Sequence, residues 1–265
     1  MRFSKYHGCG NDFILGMYEK NVDYNHLARE ICNRHTGIGA DGLIILKRDY
    51  GFEMMFYNAD GTRGTMCGNG IRCLSKYICD QGLVDKIDKL EIKTLSGLRT
   101  VYIDDDKFIV NMGRPLFDAK AIGVNIDGEL FDYKLKYKDT YVTLDGCFMT
   151  TDHIVVLCNE LNHDTNLGKF LCENKFFAKG VNVNFVKINN KNEISIETYE
   201  RGVGWTLACG SGSCASFAVL NHKKLINDNV TVHLKIDDLN IYKEIDDIIM
   251  KGTATLVSNN IEYKI

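Results

Sequence analysis

Short runs of alternating or clustered apolar residues occur along most of the chain, as they do in half-buried β-strands. Two of them are FEMMFYN at 52–58 and ISIETYE at 194–200. Each is followed by a glycine-containing turn and then by a segment whose apolar residues recur at intervals of three and four, GIRCLSKYICDQG from Gly70 and GSCASFAVLNHKK from Gly212. That spacing predicts a buried helix after each turn.

The pattern then predicts strands again, at KLEIKTL (89–95) and VTVHLKI (230–236). Two shorter helices are predicted at YNHLAREICNRH (24–35), ended by Gly37, and at LGKFLCENK (167–175). The same order of strand, turn, helix and strand therefore occurs in both parts of the chain.

An internal repeat explains this order, because a cysteine precedes Gly-x-Gly at both Cys67 and Cys209, 142 positions apart (209 − 67). The same offset aligns Tyr57 with Tyr199, and the apolar run LEI with VHL. We therefore predict an α/β (α+β) fold of two pseudo-symmetric domains. Each is a mostly antiparallel sheet wrapped around a central helix, and the active site lies in the cleft between them.

The predicted N-terminal half is 1–113 and carries Cys67, and the C-terminal half is 114–257 and carries Cys209. The sole proline, Pro115, marks the expected linker. A return of the last strand, near 258–265, to the first half is left open.

Composition narrows the partners. A net charge of −3 and the absence of a basic, aromatic-interleaved stripe argue against nucleic acid. No uninterrupted apolar run reaches the roughly 18 residues of a membrane span, and the opening MRFSKYHGCGNDF has no apolar signal core. We therefore expect a cytoplasmic protein with no membrane partner.

The 10 cysteines are spread over the chain without a Cys-x-x-Cys pair, and the 7 histidines show no paired spacing. These patterns argue against a metal site and for mostly reduced, buried thiols.

A cysteine before Gly-x-Gly at the start of a helix lies where unpaired N–H groups and the helix dipole favour an anion, either a thiolate or a bound carboxylate. One copy alone is equally typical of a buried cysteine beside an ordinary turn. Two copies in register favour function. If the halves face each other, two thiols approach one ligand from opposite sides, which suits inversion of a stereocentre by a base on one face and an acid on the other.

At this point the sequence resembles the cofactor-independent diaminopimelate epimerases over essentially its whole length. The similar motifs are HGCGNDF (7–13), GIGADGL (37–43), NADGTRGTMCGNGIRC (58–73), GVNVNFV (180–186) and ERGVGWTLACGSGSCA (200–215). The resemblance implies an isomerase of lysine and peptidoglycan biosynthesis that interconverts LL- and meso-2,6-diaminopimelate. It also implies a homodimer that uses neither pyridoxal phosphate nor metal.

The family's functional residues carry over position by position, with Cys67 and Cys209 as the acid–base pair. His153 and Glu200 would tune the cysteines, and Glu200 would receive the distal amino group. The remaining substrate contacts implied by the resemblance are the side chains of Asn11, Asn58, Thr151, Asn182 and Arg201 and the backbone amides of Gly68, Asn69, Gly210 and Ser211. Without the family, Asn11 and Asn58 are also typical turn residues, Glu200 and Arg201 a solvated strand end, and His153 a core histidine.

Three departures keep alternatives open. Thr151 replaces an asparagine expected at the distal carboxylate, Trp205 stands where glutamate is common, and Cys9 stands where an apolar residue is usual. The first two allow a racemase of histidine or another amino acid with the same two-cysteine chemistry. A third alternative is a non-catalytic carboxylate-binding or thiol redox protein.

Overall fold

A computed structural model describes residues 1–85, 88–161 and 164–264 of the protein. The chain divides into two compact units, unit 1 comprising Met1–Asn111 and Lys251–Ile265 and unit 2 comprising Met112–Met250. Within the described ranges, none of the helices has the length and apolar character needed to cross a membrane.

The chain enters unit 2 within strand β8 and leaves it within strand β17. The elements up to β8 are β1 (Arg2–Gly8), β2 (Asn11–Met17), α1 (Tyr24–Ile31), β3 (Gly42–Lys47), β4 (Phe52–Asn58), β5 (Arg63–Gly64), α2 (Gly68–Asp80), β6 (Lys89–Thr94), β7 (Gly97–Asp104) and β8 (Lys107–Gly113).

A single 3₁₀ turn, Ala119–Ile122, precedes the strands of unit 2. The following elements are β9 (Tyr133–Tyr137), β10 (Thr140–Met149), β11 (Thr151–Leu157), α3 (Thr165–Cys172), β12 (Asn182–Asn190), β13 (Glu193–Glu200), β14 (Gly204–Thr206), α4 (Gly210–His222), β15 (Asn229–His233), β16 (Asp238–Glu244), β17 (Asp247–Thr253) and β18 (Thr255–Glu262). Strand β18 pairs with β1, so the end of the chain belongs to unit 1.

The two units share one strand topology. In unit 1, β2 pairs parallel with β3 across α1, β3 antiparallel with β4, and β4 parallel with β6 across α2. In unit 2, β11 pairs parallel with β12 across α3, β12 antiparallel with β13, and β13 parallel with β15 across α4. Each parallel pair needs a crossover, which a helix supplies. The predicted α/β (α+β) fold is confirmed, and it is mixed and dominated by sheet.

The central helices are the two copies of the repeat. Helices α2 and α4 are both 13 residues long and start at the offset seen in the sequence. Both begin two residues before the predicted starts, because the cysteine side chain caps the first turn. Helix α4 is buried on nearly all its surface, which fits its apolar and small residues on every side.

Helix α1 ends at Ile31, before the predicted end at 35. The side chain of Asn33 accepts from the backbone N–H groups of His35 and Thr36, and this local turn replaces a further helical turn. Gly37 has a different function from the predicted cap. A Cβ at Gly37 would lie 2.3 Å from the carbonyl oxygen of Glu30, so the close return of the chain over the helix requires glycine.

Candidate active site

Cys67 is the N-cap of helix α2, with an extended backbone (φ −136°). Its Sγ accepts from the backbone N–H of Gly70 at 3.4 Å and donates to Oδ1 of Asn11 at 3.9 Å. The Nδ2 group of Asn69 donates to the same oxygen at 3.2 Å. The structure thus brings the side chains of Asn11 and Asn69 next to the first cysteine.

Asp41 holds the side chain of Asn11 in place at the start of β2. The Nδ2 group of Asn11 donates to Oδ2 of Asp41 at 2.7 Å, which leaves its Oδ1 directed at Cys67. Arg34 joins Asp41 to Asp12 through a pair of 2.7 Å contacts. Burial alone would raise the pKa of Asp12, but hydrogen bonds from Arg34 and Lys5 outweigh it and lower the pKa below its usual range.

Arg72 lies beneath the first Gly-x-Gly turn and is fully buried. Its guanidinium donates to the carbonyls of Gly68 at 3.4 Å and Thr253 at 3.2 Å and contacts Sγ of Cys9 at 3.6 Å. A Cβ at Gly8 would lie 2.9 Å from the Arg72 Nη2. Arg72 therefore links the cysteine turn to the β1–β2 turn that carries Asn11.

Cys209 repeats the same arrangement as the N-cap of α4 (φ −127°). Its Sγ accepts from the backbone N–H of Gly212 at 3.3 Å and lies 3.5 Å from the hydroxyl of Ser211. That hydroxyl is 3.1 Å from Nε2 of His153, which also lies 2.9 Å from Oγ1 of Thr151. His153, Ser211 and Cys209 form one hydrogen-bonded series within unit 2.

His153 has no exposed surface, and burial together with the charge of Arg201 lowers its pKa to about 3. The imidazole is therefore neutral at physiological pH. Its Nδ1 lies 3.2 Å from Nδ2 of the buried Asn184. This histidine is a hydrogen-bonding group of the cysteine turn rather than a charged one.

A polar cluster lies at the start of β11. Asn182 donates through Nδ2 to Oγ1 of Thr151 at 3.2 Å, and its Oδ1 accepts from the backbone N–H of Arg201 at 2.9 Å. The Nη1 group of Arg201 contacts Oδ2 of Asp152 at 3.3 Å and the carbonyl of Gly180 at 3.1 Å. Thr151, Asn182 and Arg201 are thus joined, and the orientation of the guanidinium is fixed.

The other predicted side chains have different local partners. Glu200 accepts from the hydroxyl of Thr206 at 2.7 Å, and Asn58 donates to the hydroxyl of Thr62 at 2.9 Å in the exposed turn after β4. The indole N–H of Trp205 donates to the carbonyl of Thr165 at 3.2 Å, at the start of α3. Trp205 thus packs on this helix and uses its donor there.

Each cysteine turn also presents main-chain donors. Helix α2 begins with Gly68 and Asn69, and helix α4 begins with Gly210 and Ser211. The N–H groups of a first helical turn have no acceptor inside the helix. With the helix dipole, these positions favour a bound carboxylate. In the part of the chain that the structure describes, no group of three or more His, Cys, Asp or Glu side chains is arranged to hold a metal ion.

Sequence reasoning did not single out Asp41, Arg72 or Asn184. All three lie inside the motifs GIGADGL, MCGNGIRC and GVNVNFV, so the signal was present. A buried arginine and a strand asparagine with no polar neighbour in sequence give no indication of their partners, because those partners come from other strands.

A family model described as "Diaminopimelate epimerase" matches residues 3–117 and 148–257. The chain is 39% identical over 273 residues to a diaminopimelate epimerase of Halothermothrix orenii, covering 97% of this chain and 96% of that protein. It is 35% identical over 268 residues to a diaminopimelate epimerase of Clostridium perfringens, covering 97% of each.

Among solved structures, a probable proline racemase from Agrobacterium radiobacter has a TM-score of 0.73 at 14% identity, covering 99% of this chain and 92% of that one. A phenazine biosynthesis protein of the PhzF family from Bacillus anthracis has a TM-score of 0.71 at 13% identity, covering 97% of each chain. At this identity the two structures show the fold alone. The match to the family model and the near full-length relatives show more: this chain belongs to the diaminopimelate epimerase family.

Proposed function

We propose that this protein is an isomerase that interconverts LL- and meso-2,6-diaminopimelate by two-base proton transfer at the α-carbon. The observation that carries the proposal is the pair of helices of equal length, each capped by a cysteine whose Sγ accepts from the amide three residues on. The names of the relatives supply the substrate.

The chemistry follows from the thiols. One cysteine, as thiolate, takes the α-proton, so that the C–H bond breaks and an S–H bond forms. The other cysteine gives its proton to the opposite face, so that its S–H bond breaks and the inverted C–H bond forms. Cys67 and Cys209 are chemically identical, so they exchange these functions when the reaction runs in reverse.

The intermediate carries negative charge that spreads into the reacting carboxylate. In the proposal, the amides of Gly68, Asn69, Gly210 and Ser211 bind this carboxylate, which gives electrostatic stabilisation of the oxyanion-hole kind. Each helix N-terminus adds a favourable dipole at the same place.

The distal end of the substrate is assigned to the polar side chains of Thr151, Asn182 and Arg201, with Asn11 and Asn58 as further polar contacts. Arg201 suits the distal carboxylate, because a guanidinium held by Asp152 is already oriented for a charge-assisted pair. Glu200, on the strand end before Arg201, is assigned to the distal ammonium.

The proposal uses no pyridoxal phosphate, because it assigns stabilisation of the carbanion, which that cofactor supplies as an electron sink, to the main-chain amides of the two cysteine turns. Resemblance to the family supports a role for the reaction in lysine and peptidoglycan precursor synthesis. Resemblance to the family further supports a cytoplasmic homodimer with a small amino-acid substrate.

The test is incubation of LL-diaminopimelate with the protein in deuterated water, followed by chiral chromatography and mass spectrometry. We expect meso product that carries one deuterium at the inverted centre. Cys67→Ala and Cys209→Ala should each abolish the inversion, because neither face can be served by the other cysteine.

A parallel panel of amino acids that includes histidine and proline separates the alternatives. Faster racemisation of an amino acid without a distal carboxylate would overturn the named substrate and leave the two-cysteine chemistry. Absence of deuterium exchange in every substrate would overturn the enzymatic proposal as a whole.

A further inference from the structure

The amide of Asn184 has one possible orientation. Its Nδ2 lies 2.9 Å from the backbone carbonyl of Ile154, which can only accept, and its Oδ1 accepts from the hydroxyl of Thr198 at 3.1 Å. Rotating the amide by half a turn would set two oxygens against each other at Ile154. Asn184 is fully buried, so water cannot relieve that conflict.

This orientation fixes the tautomer of His153. The second N–H of the Asn184 Nδ2 group faces Nδ1 of His153 at 3.2 Å, so Nδ1 must be the acceptor. A proton on Nδ1 would meet an N–H donor, which disfavours both the imidazolium and the other neutral tautomer. His153 therefore carries its single proton on Nε2.

The hydroxyl of Ser211 is oriented in turn. Its oxygen lies 3.1 Å from Nε2 of His153 and 3.5 Å from Sγ of Cys209. Since Nε2 carries a proton, it can donate to the hydroxyl oxygen but cannot accept, and Sγ is the neighbour that accepts the hydroxyl proton. With the amide of Gly212 at 3.3 Å, two donors then point at the Cys209 sulfur.

The sulfur of Cys67 has a different environment. Its Gly70 amide is equivalent, but the atom that Asn11 directs at this sulfur is Oδ1, an acceptor, because Nδ2 of Asn11 is bound to Asp41. An acceptor beside sulfur stabilises the S–H form, whereas a donor stabilises the thiolate.

The shared topology shows that the series is confined to unit 2. Phe13 pairs with Gly42, the first residue of β3, and His153 pairs with Asn182, the first residue of β12. Phe13 is therefore the equivalent of His153 in unit 1. Leu43 pairs with Tyr57, and Val183 pairs with Tyr199, the equivalent tyrosine. Ile44, which follows Leu43, is therefore the equivalent of Asn184, which follows Val183. Phe13 and Ile44 are apolar and cannot orient a hydroxyl.

From these contacts we propose that Asn184 is a positioning residue that acts through His153 and Ser211, and that in the substrate-free protein Cys209 is the thiolate and Cys67 the thiol. The inference deepens the proposed function by assigning the starting protonation of its two bases. In the first turnover of a stereoisomer whose α-proton faces Cys209, that sulfur gains the proton and Cys67 gives up its own.

The experiment measures the ultraviolet absorbance of the thiolate without substrate, at pH 7 and over a pH titration. Burial raises the pKa of Cys32 and Cys147 to about 12 and also raises that of Cys73, so these thiols contribute no background. Cys209 is buried as well, and in the proposal the two donors directed at its sulfur outweigh the effect of burial. We expect the absorbance to persist in Cys67→Ala and to disappear in Cys209→Ala. The reverse result, or no thiolate absorbance in the wild type, would overturn the assignment.

Two further variants test the series. Ser211→Ala should lower the ionisation constant of Cys209 about tenfold or more, since a hydrogen bond to a charged group is lost. Asn184→Leu should also lower the ionisation constant of Cys209, although Ser211 is intact in that variant. Thr151→Val is the matched control, because it removes the other hydroxyl beside Nε2 without touching Sγ, and it should leave the absorbance unchanged.

An unchanged pH midpoint of the thiolate absorbance in Ser211→Ala would overturn the proposal even if Asn184→Leu did not fold. A loss in Thr151→Val equal to that in Ser211→Ala would overturn it too. The measurement uses no diaminopimelate, so its outcome is separate from the test of the substrate.

Discussion

Gly212 is the residue at which the second cysteine turn and Asn184 come closest. A Cβ added there would lie 2.2 Å from Oδ1 of Asn184 and 3.2 Å from Sγ of Cys209. Ordinary contact begins at 3.4 Å, so in Gly212→Ala the Asn184 amide must move by more than 1 Å. The amide cannot move that far and keep its hydrogen bonds to Thr198, Ile154 and His153.

The cost follows from those three bonds. A buried neutral hydrogen bond contributes about 1 kcal/mol, so their weakening and the overpacking together cost about 2–4 kcal/mol. Replacing glycine by alanine in a helix returns up to about 1 kcal/mol. Gly70→Ala in α2 has the same helical gain, but its Cβ meets the ends of flexible side chains, Ile44 Cδ1 at 2.9 Å and Met54 Cε at 3.2 Å. We therefore expect Gly212→Ala to lose at least about 2 kcal/mol more than Gly70→Ala.

Urea unfolding measures the difference. Trp205, the only tryptophan, lies in unit 2, so its fluorescence follows the unit that holds Gly212, and circular dichroism follows both units. The midpoint should fall for Gly212→Ala with an unchanged denaturant slope. If the two variants lost the same free energy of unfolding within about 0.5 kcal/mol, the rigid Asn184 network would be refuted.

Three further tests concern Asp12, Arg201 and the cysteine pair. Asp12 has a lowered pKa in the folded protein, so its contribution to stability is complete above its unfolded pKa and is lost as the pH falls through the folded pKa. The difference in free energy of unfolding between wild type and Asp12→Asn should therefore be constant near neutrality and shrink below about pH 4. A difference that grew on acidification would contradict this. Arg201→Lys should lower kcat/KM for diaminopimelate more than Thr151→Asn does, because lysine lacks the planar fork, and the reverse order of the two variants would remove Arg201 from the distal carboxylate. Mild oxidation with hydrogen peroxide, which converts two thiols and one peroxide to one disulfide and two waters, should inactivate the protein by forming a Cys67–Cys209 bridge. A reductant should restore activity. Peptide mapping that found bridges only elsewhere would count against the convergence of the two thiols on one substrate.

The repeat made much of the fold predictable from sequence. The spacing of apolar residues located α2 and α4, and the offset of 142 positions (209 − 67) between the cysteines is the offset between the helix starts. The strand at 52–58 agrees in both bounds with β4. These features depend on local periodicity, which the sequence displays directly.

The helix ends and the partners of polar residues depend on side-chain geometry and were less accessible. Helix α1 stops early because of the Asn33 side chain, and Arg72 and Asn184 gain their significance from strands far away in sequence. Trp205 illustrates the limit most clearly. Its place in a family motif predicts a contact in the distal pocket, but its indole N–H donates to the carbonyl of Thr165.

Duplication copied the backbone of the site more faithfully than its polar side chains. Both cysteines cap helices of 13 residues, and each Sγ accepts a hydrogen bond from a backbone N–H at 3.3–3.4 Å. The polar side chains differ, because Ser211 in unit 2 is equivalent to Asn69 in unit 1, and Asn184 is equivalent to Ile44. A strictly symmetric pair of thiols would divide the free protein equally between two protonation forms. The unequal side chains instead favour one form, which is competent for one stereoisomer, and the other form arises after turnover. The equilibrium between the stereoisomers fixes the ratio of kcat/KM in the two directions. The unequal side chains therefore change the fraction of free protein in the protonation form that each stereoisomer requires. They leave the final proportions of the two stereoisomers unchanged.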